Sequence, residues 1–255
     1  MAISWRRFLT ILRITWVCAG LAFLIWMVLS FRAQGYDFHT LYQQPEIYVA
    51  EGTQSIEVMP IASSQPIGLI FYPGGMVEPR AYLPLAHALA QRGYPVIIVK
   101  LPYRSAMLAE QEAAVHAYVR STIQNSILDH WAVGGHSRGG ALAARFVYHY
   151  PTAADALILL GTTHPKEANY SLADRAIPVT KIYATRDGIA DATTILANRN
   201  LLPATTNFVA IEGGNHSQFG YYGFQLGDRR ATISRADQQT QIVDAITVVL
   251  AGLTD

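Results

Sequence analysis

Cysteine is nearly absent from this chain: Cys18 is the only one in 255 residues. A single thiol closes no intrachain disulfide. This one lies in an apolar N-terminal run, so everything beyond it lacks both a disulfide and a thiol nucleophile and must rely on its core. Charge is scarce as well. Charged residues make up 15%, and 19 Lys+Arg against 18 Asp+Glu leave a net charge of +1. With no basic block to meet phosphates, nucleic acid is excluded as a partner. Internal repeats and low-complexity tracts are missing too. No metal site and no cofactor are expected.

Hydrophobic residues, at 51%, are what the chain has in excess. Ile14 to Phe31, "ITWVCAGLAFLIWMVLSF", is 18 residues without a charge. As a helix it spans roughly 27 Å, enough for a bilayer core. Arg6, Arg7 and Arg13 precede it, and Trp5, Trp16 and Trp26 stand near its ends. Positive charge before the span predicts a cytoplasmic N-terminus and an exported C-terminal domain. A cleaved signal peptide is the rival. The run exceeds the usual length for one, and Ser30 and Ala33 around Phe31-Arg32 make a poor cleavage site. Residues 1–31 are therefore expected to be a transmembrane anchor with a short basic tail, residues 32–46 a linker that lifts the domain from the membrane, and residues 47–255 one domain.

Within that domain short β-branched runs alternate with helical patterns. "SIEVMPI", "IGLIFYPGG", "YPVIIVKLP", "WAVGG", "ALILLGTT", "VTKIYATRD" and "TNFVAIEGG" read as strands. "PRAYLPLAHALAQRG", "AMLAEQEAAVHAYVRSTIQ", "RGGALAARFVYHY", "DATTILANRNLL" and "ADQQTQIVDAITVVLAGL" read as helices. Such alternation implies right-handed crossovers and a mostly parallel sheet with helices on both faces. Chemistry then gathers at the carboxyl ends of the strands.

Gly135-His136-Ser137-Arg138-Gly139 matches G-x-S-x-G between a strand and a helix. A sharp turn there needs small residues on both sides and presents the serine hydroxyl above the sheet edge. A serine needs a base and an orienting carboxylate, and both follow in the expected chain order. Asp187 ends one strand and His216 the next. Asp191 is the fallback carboxylate, Asp155 lies at the wrong strand end, and His164 is the competing histidine. Acyl transfer also requires two oxyanion donors. The amide of Arg138 is one. The turn "FYPGGMVEP" supplies the other, from Gly75 or Met76.

These residues, in "FYPGG", "GGHSRGG", "YATRDG" and "GGNH", resemble the α/β-hydrolase superfamily, and within it the compact dienelactone-hydrolase-like branch. The resemblance covers residues 67–251. It implies an acyl-enzyme mechanism with Ser137 as nucleophile, His216 as general base and then acid, and Asp187 fixing the imidazole tautomer. Dienelactone hydrolases proper carry a cysteine where this chain has Ser137, and Pro73 replaces the histidine common before the oxyanion-hole glycine.

The expected product is a membrane-anchored serine esterase acting on a small-molecule or lipid-like ester. Acyl transfer to another alcohol, or a non-catalytic binding protein, are the alternatives. Residues 161–178 are too few for a helical lid, so the site is expected to be open. Phe219, Tyr221, Tyr222 and Phe224 are candidates for an aromatic wall beside it, with His136 at the elbow. Arg138, Arg229 and Arg230 are candidates to meet an anionic group.

Overall fold

In the computed structural model, residues 4–62 and 64–253 are described. The ends of the expected anchor and domain, residues 1–3 and 254–255, lie outside them. The chain opens with α1, Trp5–Ser30, a 26-residue helix long and apolar enough to cross a membrane, with no part of its most apolar stretch buried against the rest of the protein. A short helix α2 (Phe38–Leu41) follows, held at its start by the Asp37 carboxylate, which accepts from the His39 amide.

Eight strands form one sheet: β1 (Ile47–Glu51), β2 (Ser55–Pro60), β3 (Ile67–Tyr72), β4 (Val96–Val99), β5 (His130–His136), β6 (Ala156–Leu160), β7 (Val179–Ala184) and β8 (Asn207–Ile211). Their spatial order is β1-β2-β4-β3-β5-β6-β7-β8. The first two pair antiparallel at one edge, and the other six are parallel. The edge strand β1 went unread in the sequence. Its exposed Tyr48 and Glu51 break up the continuous apolar run that marks the inner strands.

Side chains of the inner strands alternate between two cores. On one face Leu69 and Phe71 of β3 pack with Leu85 and Leu89 of α3 (Leu83–Gln91) and Ile242 and Ile246 of α7 (Arg235–Ala251). On the other, Ile70 and Tyr72 pack with Val115 and Val119 of α4 (Ala109–Gln124) and Leu142 and Phe146 of α5 (Arg138–His149). A strand sandwiched in this way buries every residue, as β3 and β6 do. Each such Leu, Ile or Phe contributes about 1.5–3 kcal/mol. The remaining helix, α6, covers only Ala192–Ala197 and ends in a 3-10 turn at Arg199–Leu201. Between β6 and β7 there is one 3-10 turn, Ala168–Tyr170, and no helical lid.

The chain leaves β3 for β4 on one side and returns to β5 on the other. Strand order therefore reverses between β3 and β5, and a crevice opens outside their carboxyl ends. The Gly74-Gly75 turn and Ser137 stand there.

Residues 31–46 do not hang free as a spacer. Phe31 and Phe38 pack on the core, and an isolated bridge joins Ala33 to Tyr222. The expected linker is thus folded back onto the domain, because its aromatic side chains have apolar surface to cover.

Candidate active site

Strand β5 stops at His136 and helix α5 starts at Arg138, leaving Ser137 at φ 54°, ψ −117°. For a residue with a Cβ, that conformation costs on the order of 1–3 kcal/mol and persists only where surroundings enforce it. Here the Ser137 amide donates to Leu160 O at 2.9 Å, and its carbonyl accepts from Ala141 at 3.2 Å. Glycine is required on both sides. A Cβ on Gly135 would stand 2.8 Å from Tyr72 O, and one on Gly139 would collide with the carbonyl oxygens of Tyr72 and Pro73. A Cβ on Gly140 would meet Thr162 Cγ2 at 2.7 Å, so the bare backbone lets α5 approach β6.

Asp187 and His216 come together past the ends of β7 and β8. Asp187 Oδ2 lies 2.7 Å from His216 Nδ1, and both side chains are fully buried. The other carboxylate oxygen, Oδ1, accepts from the amides of Ile189 (2.7 Å) and Ala190 (2.6 Å), which fixes the carboxylate plane. A carboxylate only accepts, so the imidazole proton sits on Nδ1 and the Nε2 lone pair is free. That nitrogen is buried with no hydrogen-bond partner among the described residues. Ser137 is therefore not hydrogen-bonded to His216 in this structure. Its neighbour His136 has its ring 4.5 Å from that of His216. Contacts of this kind commonly close only when substrate is bound. Asp191 takes no part: it caps α6, accepting from the Thr194 amide and hydroxyl. Asp155 accepts from the Trp131 amide at the far end of the sheet. His164 contacts Thr162, and burial lowers its pKa to about 4.

The turn after β3 separates the two oxyanion candidates. The Met76 amide already donates to Arg104 O at 2.7 Å, so it cannot also serve an oxyanion. The Gly75 amide has no partner among the described residues, and a Cβ on Gly75 would sit 3.2 Å from Arg138 Cβ. Gly75 thus faces the first turn of α5, where the Arg138 amide has no intrahelical acceptor. The Arg138 side chain is occupied elsewhere. It donates to Ser105 O and Ala106 O and pairs with Glu112. Arg229 and Arg230 remain exposed.

The aromatic candidates are core rather than wall. Phe219 and Tyr222 are fully buried beneath the loop that follows His216. Phe219 stacks on His136 at 5.1 Å, and the Tyr222 hydroxyl donates to His216 O at 3.2 Å. Tyr221 sets its ring edge against Tyr36 at 4.9 Å. Of that group, Phe224 alone is exposed. His136 is buried too, and burial, with the nearby His216 ring, holds its imidazole well below the usual range. Its Nδ1 lies 2.8 Å from the Tyr82 hydroxyl, which accepts the Gly74 amide at 2.9 Å. With His136 neutral, the Tyr82 proton goes to Nδ1. One hydroxyl thereby ties the elbow to the Gly74-Gly75 turn.

Asp228 escaped the sequence reading. Its Oδ1 accepts from the amides of Gly188 (3.1 Å), His216 (3.3 Å) and Arg229 (2.8 Å). Its Oδ2 takes the amide (2.8 Å) and hydroxyl (2.7 Å) of Ser217. The carboxylate joins the loop of Asp187 to that of His216. Gly188 belongs to the same junction, since a Cβ there would strike Gly227 O and approach Arg229 N to 2.9 Å. The only available signal was that a loop running from residue 217 to 234 contains a single acid.

An eight-stranded, mostly parallel sheet with a residue strained at the turn between β5 and α5 defines the class of α/β-hydrolase folds. The sequence profile of the alpha/beta hydrolase family matches residues 68–240, and the chain belongs to that family. Among solved structures it is similar to an alpha-beta serine hydrolase homologue from Coxiella burnetii, with 16% identity, TM-score 0.57, and coverage of 80% of this chain and 98% of that one. It is also similar to a predicted CIB-like hydrolase from Thermoplasma acidophilum, with 10% identity, TM-score 0.60, and coverage of 78% and 98%. An α/β serine hydrolase without lid from Xanthomonas campestris shows 13% identity, TM-score 0.57, and coverage of 81% and 96%. No curated protein matches the sequence.

Proposed function

We propose that the chain is a membrane-anchored serine hydrolase that cleaves carboxylic esters through an acyl-enzyme on Ser137. The observation that carries this reading is the buried Asp187–His216 pair beside a serine held at positive φ. His216 Nε2 takes the Ser137 proton as Oγ attacks the ester carbonyl. The carbonyl oxygen gains negative charge and meets the amides of Gly75 and Arg138. Collapse expels the alcohol, protonated by His216 Nε2. Water then enters by the same base, and the acid leaves. Asp187 holds the imidazole tautomer and stabilises the imidazolium formed at each transfer. Two of the similar solved structures are described as serine hydrolases, one of them without a lid, in keeping with the bare β6–β7 connection.

Helix α1 is the anchor, with its arginine-bearing end in the cytoplasm and the hydrolase domain outside. Labelling with a fluorophosphonate tests the chemistry. Ser137 is expected to be modified, and Ser137→Ala or His216→Ala to abolish labelling. A folded chain that stays unlabelled removes the enzyme reading. For the anchor, the chain is expected to resist alkaline carbonate, and protease added outside to reach the domain.

A further inference from the structure

The end of α1 is bonded directly to both loops that frame the crevice. Ser30 is buried; its hydroxyl donates to Phe224 O at 2.6 Å, and its carbonyl accepts from Gly223 at 2.7 Å. Four residues on, the Gln34 amide donates to Tyr221 O at 2.8 Å. All three partners lie in the loop that carries His216. On the opposite side of the crevice, Phe31 O accepts from the Glu78 amide at 2.9 Å, and the Glu78 carboxylate accepts from Ala33 at 3.0 Å. Glu78 stands three residues past Gly75, in the oxyanion turn.

No spacer separates the apolar run from these contacts. The run ends at Phe31, and hydrogen bonding to the domain begins at Ser30. If the run lies in hydrocarbon, the His216 loop stands at the water–lipid boundary whatever the tilt of α1. The connections leaving the carboxyl ends of β3, β4 and β8 are dressed accordingly. Met76, Tyr103, Met107, Leu108, Phe224 and Leu226 are all exposed there, with Tyr103 at 85% and Met107 at 73%. Large apolar side chains in water lose free energy unless something covers them. Arg32, Arg229 and Arg230 are exposed at the same end, where lipid phosphates would meet them.

We propose that the crevice end of the domain rests on the bilayer that α1 spans, and that the substrate is an ester dissolved in that bilayer. This rests on the anchor and esterase readings above. Substrate then enters laterally from the lipid without desorbing into water, which suits a site with neither lid nor tunnel. The domain cannot swing away, because five hydrogen bonds hold the helix end to the site loops.

The test uses the full chain with Cys18→Ala, reconstituted in phosphatidylethanolamine–phosphatidylglycerol vesicles. An environment-sensitive fluorophore is placed at Leu226→Cys, at Met107→Cys, or at Ile127→Cys; Ile127 is 98% exposed at the opposite end of the sheet. Nitroxide-labelled lipids are expected to quench positions 226 and 107 at least threefold more than position 127. Equal quenching at all three, in a chain that resists carbonate, overturns the docking while the anchor stands. Release by carbonate overturns both. In parallel, an ester lipid in the same vesicles is expected to be cleaved at least tenfold faster than the same lipid in separate vesicles. Leu226→Asp with Met107→Asp should lower that rate at least fivefold and leave a water-soluble acetate ester within twofold. Equal loss on both esters refutes the bilayer route. Absence of turnover on either sinks the esterase reading, and the quenching pattern still decides the docking.

Discussion

Replacing Asp228 with alanine tests the account of the site at a residue outside the serine–histidine–aspartate set. Asp228 is 9% exposed, and its carboxylate accepts five hydrogen bonds, from Gly188, His216, Arg229 and twice from Ser217. Water can reach the amides of the more open Gly188 and Arg229 once the carboxylate is gone. It cannot easily reach those of His216 and Ser217, which are 0% and 2% exposed. A buried donor left unpaired costs about 1–3 kcal/mol, so two cost about 2–6 kcal/mol. For a domain of this size that lowers Tm on the order of 10 °C. His216 would also lose its backbone tether, and a misplacement of about 1 Å costs on the order of a hundredfold in rate. The assay pairs thermal unfolding with kcat/KM on a soluble ester and with fluorophosphonate labelling rate. Asp228→Asn keeps one acceptor oxygen and is expected to fall between alanine and the parent. Should Asp228→Ala melt and label like the parent, the junction does not position the histidine and the reasoning fails.

Three further outcomes follow from the same geometry. Asp187→Asn keeps the oxygen that accepts Ile189 and Ala190 but forces the His216 proton onto Nε2; kcat should drop about 10⁴-fold with the fold retained, as read by circular dichroism beside turnover. Gly139→Ala drives a methyl into the carbonyls of Tyr72 and Pro73 and should yield no cooperatively folding domain in denaturant titration. Lys181 is buried in β7 with its ammonium on His164 O, and burial lowers its pKa from 10.5 to about 7. The unfolded chain then binds a proton that the folded one lacks between about pH 7 and 10.5, so stability rises with pH across that window. Lys181→Met should flatten the rise; an unchanged slope in pH-dependent urea unfolding would show the lysine to be charged when folded.

How much of this was legible beforehand depends on how local each signal is. The elbow is written in consecutive residues, because a strand-to-helix turn through a serine at positive φ calls for glycine at 135 and 139, although the carbonyls of Tyr72 and Pro73 that enforce it lie at the end of β3. Asp187 and His216 could be expected to meet, as they do at 2.7 Å, since each directly follows an apolar run and parallel strands bring such ends to one edge. The 18-residue uncharged run declares a helix fit for a membrane by composition alone. Choosing between the Gly75 and Met76 amides was beyond reach: the Met76 amide is consumed by Arg104, in a separate loop. Phe219 and Tyr222 illustrate the same limit. An aromatic cluster near a base serves equally as wall or core, and only the path of the loop turns them inward.

Alone, the sequence determined the alternation of strands and helices, the strained serine turn and the apolar N-terminal helix. Each is legible in a short stretch of chain, through side-chain periodicity, glycine and hydropathy. Tertiary structure decided what those elements meet. Asp228 bridges two loops, Tyr82 links the elbow to the Gly74-Gly75 turn, and the end of α1 grips both rims of the crevice. These are hydrogen bonds between groups far apart in the chain, whose pairing is fixed only when buried polar atoms must find partners in the folded protein.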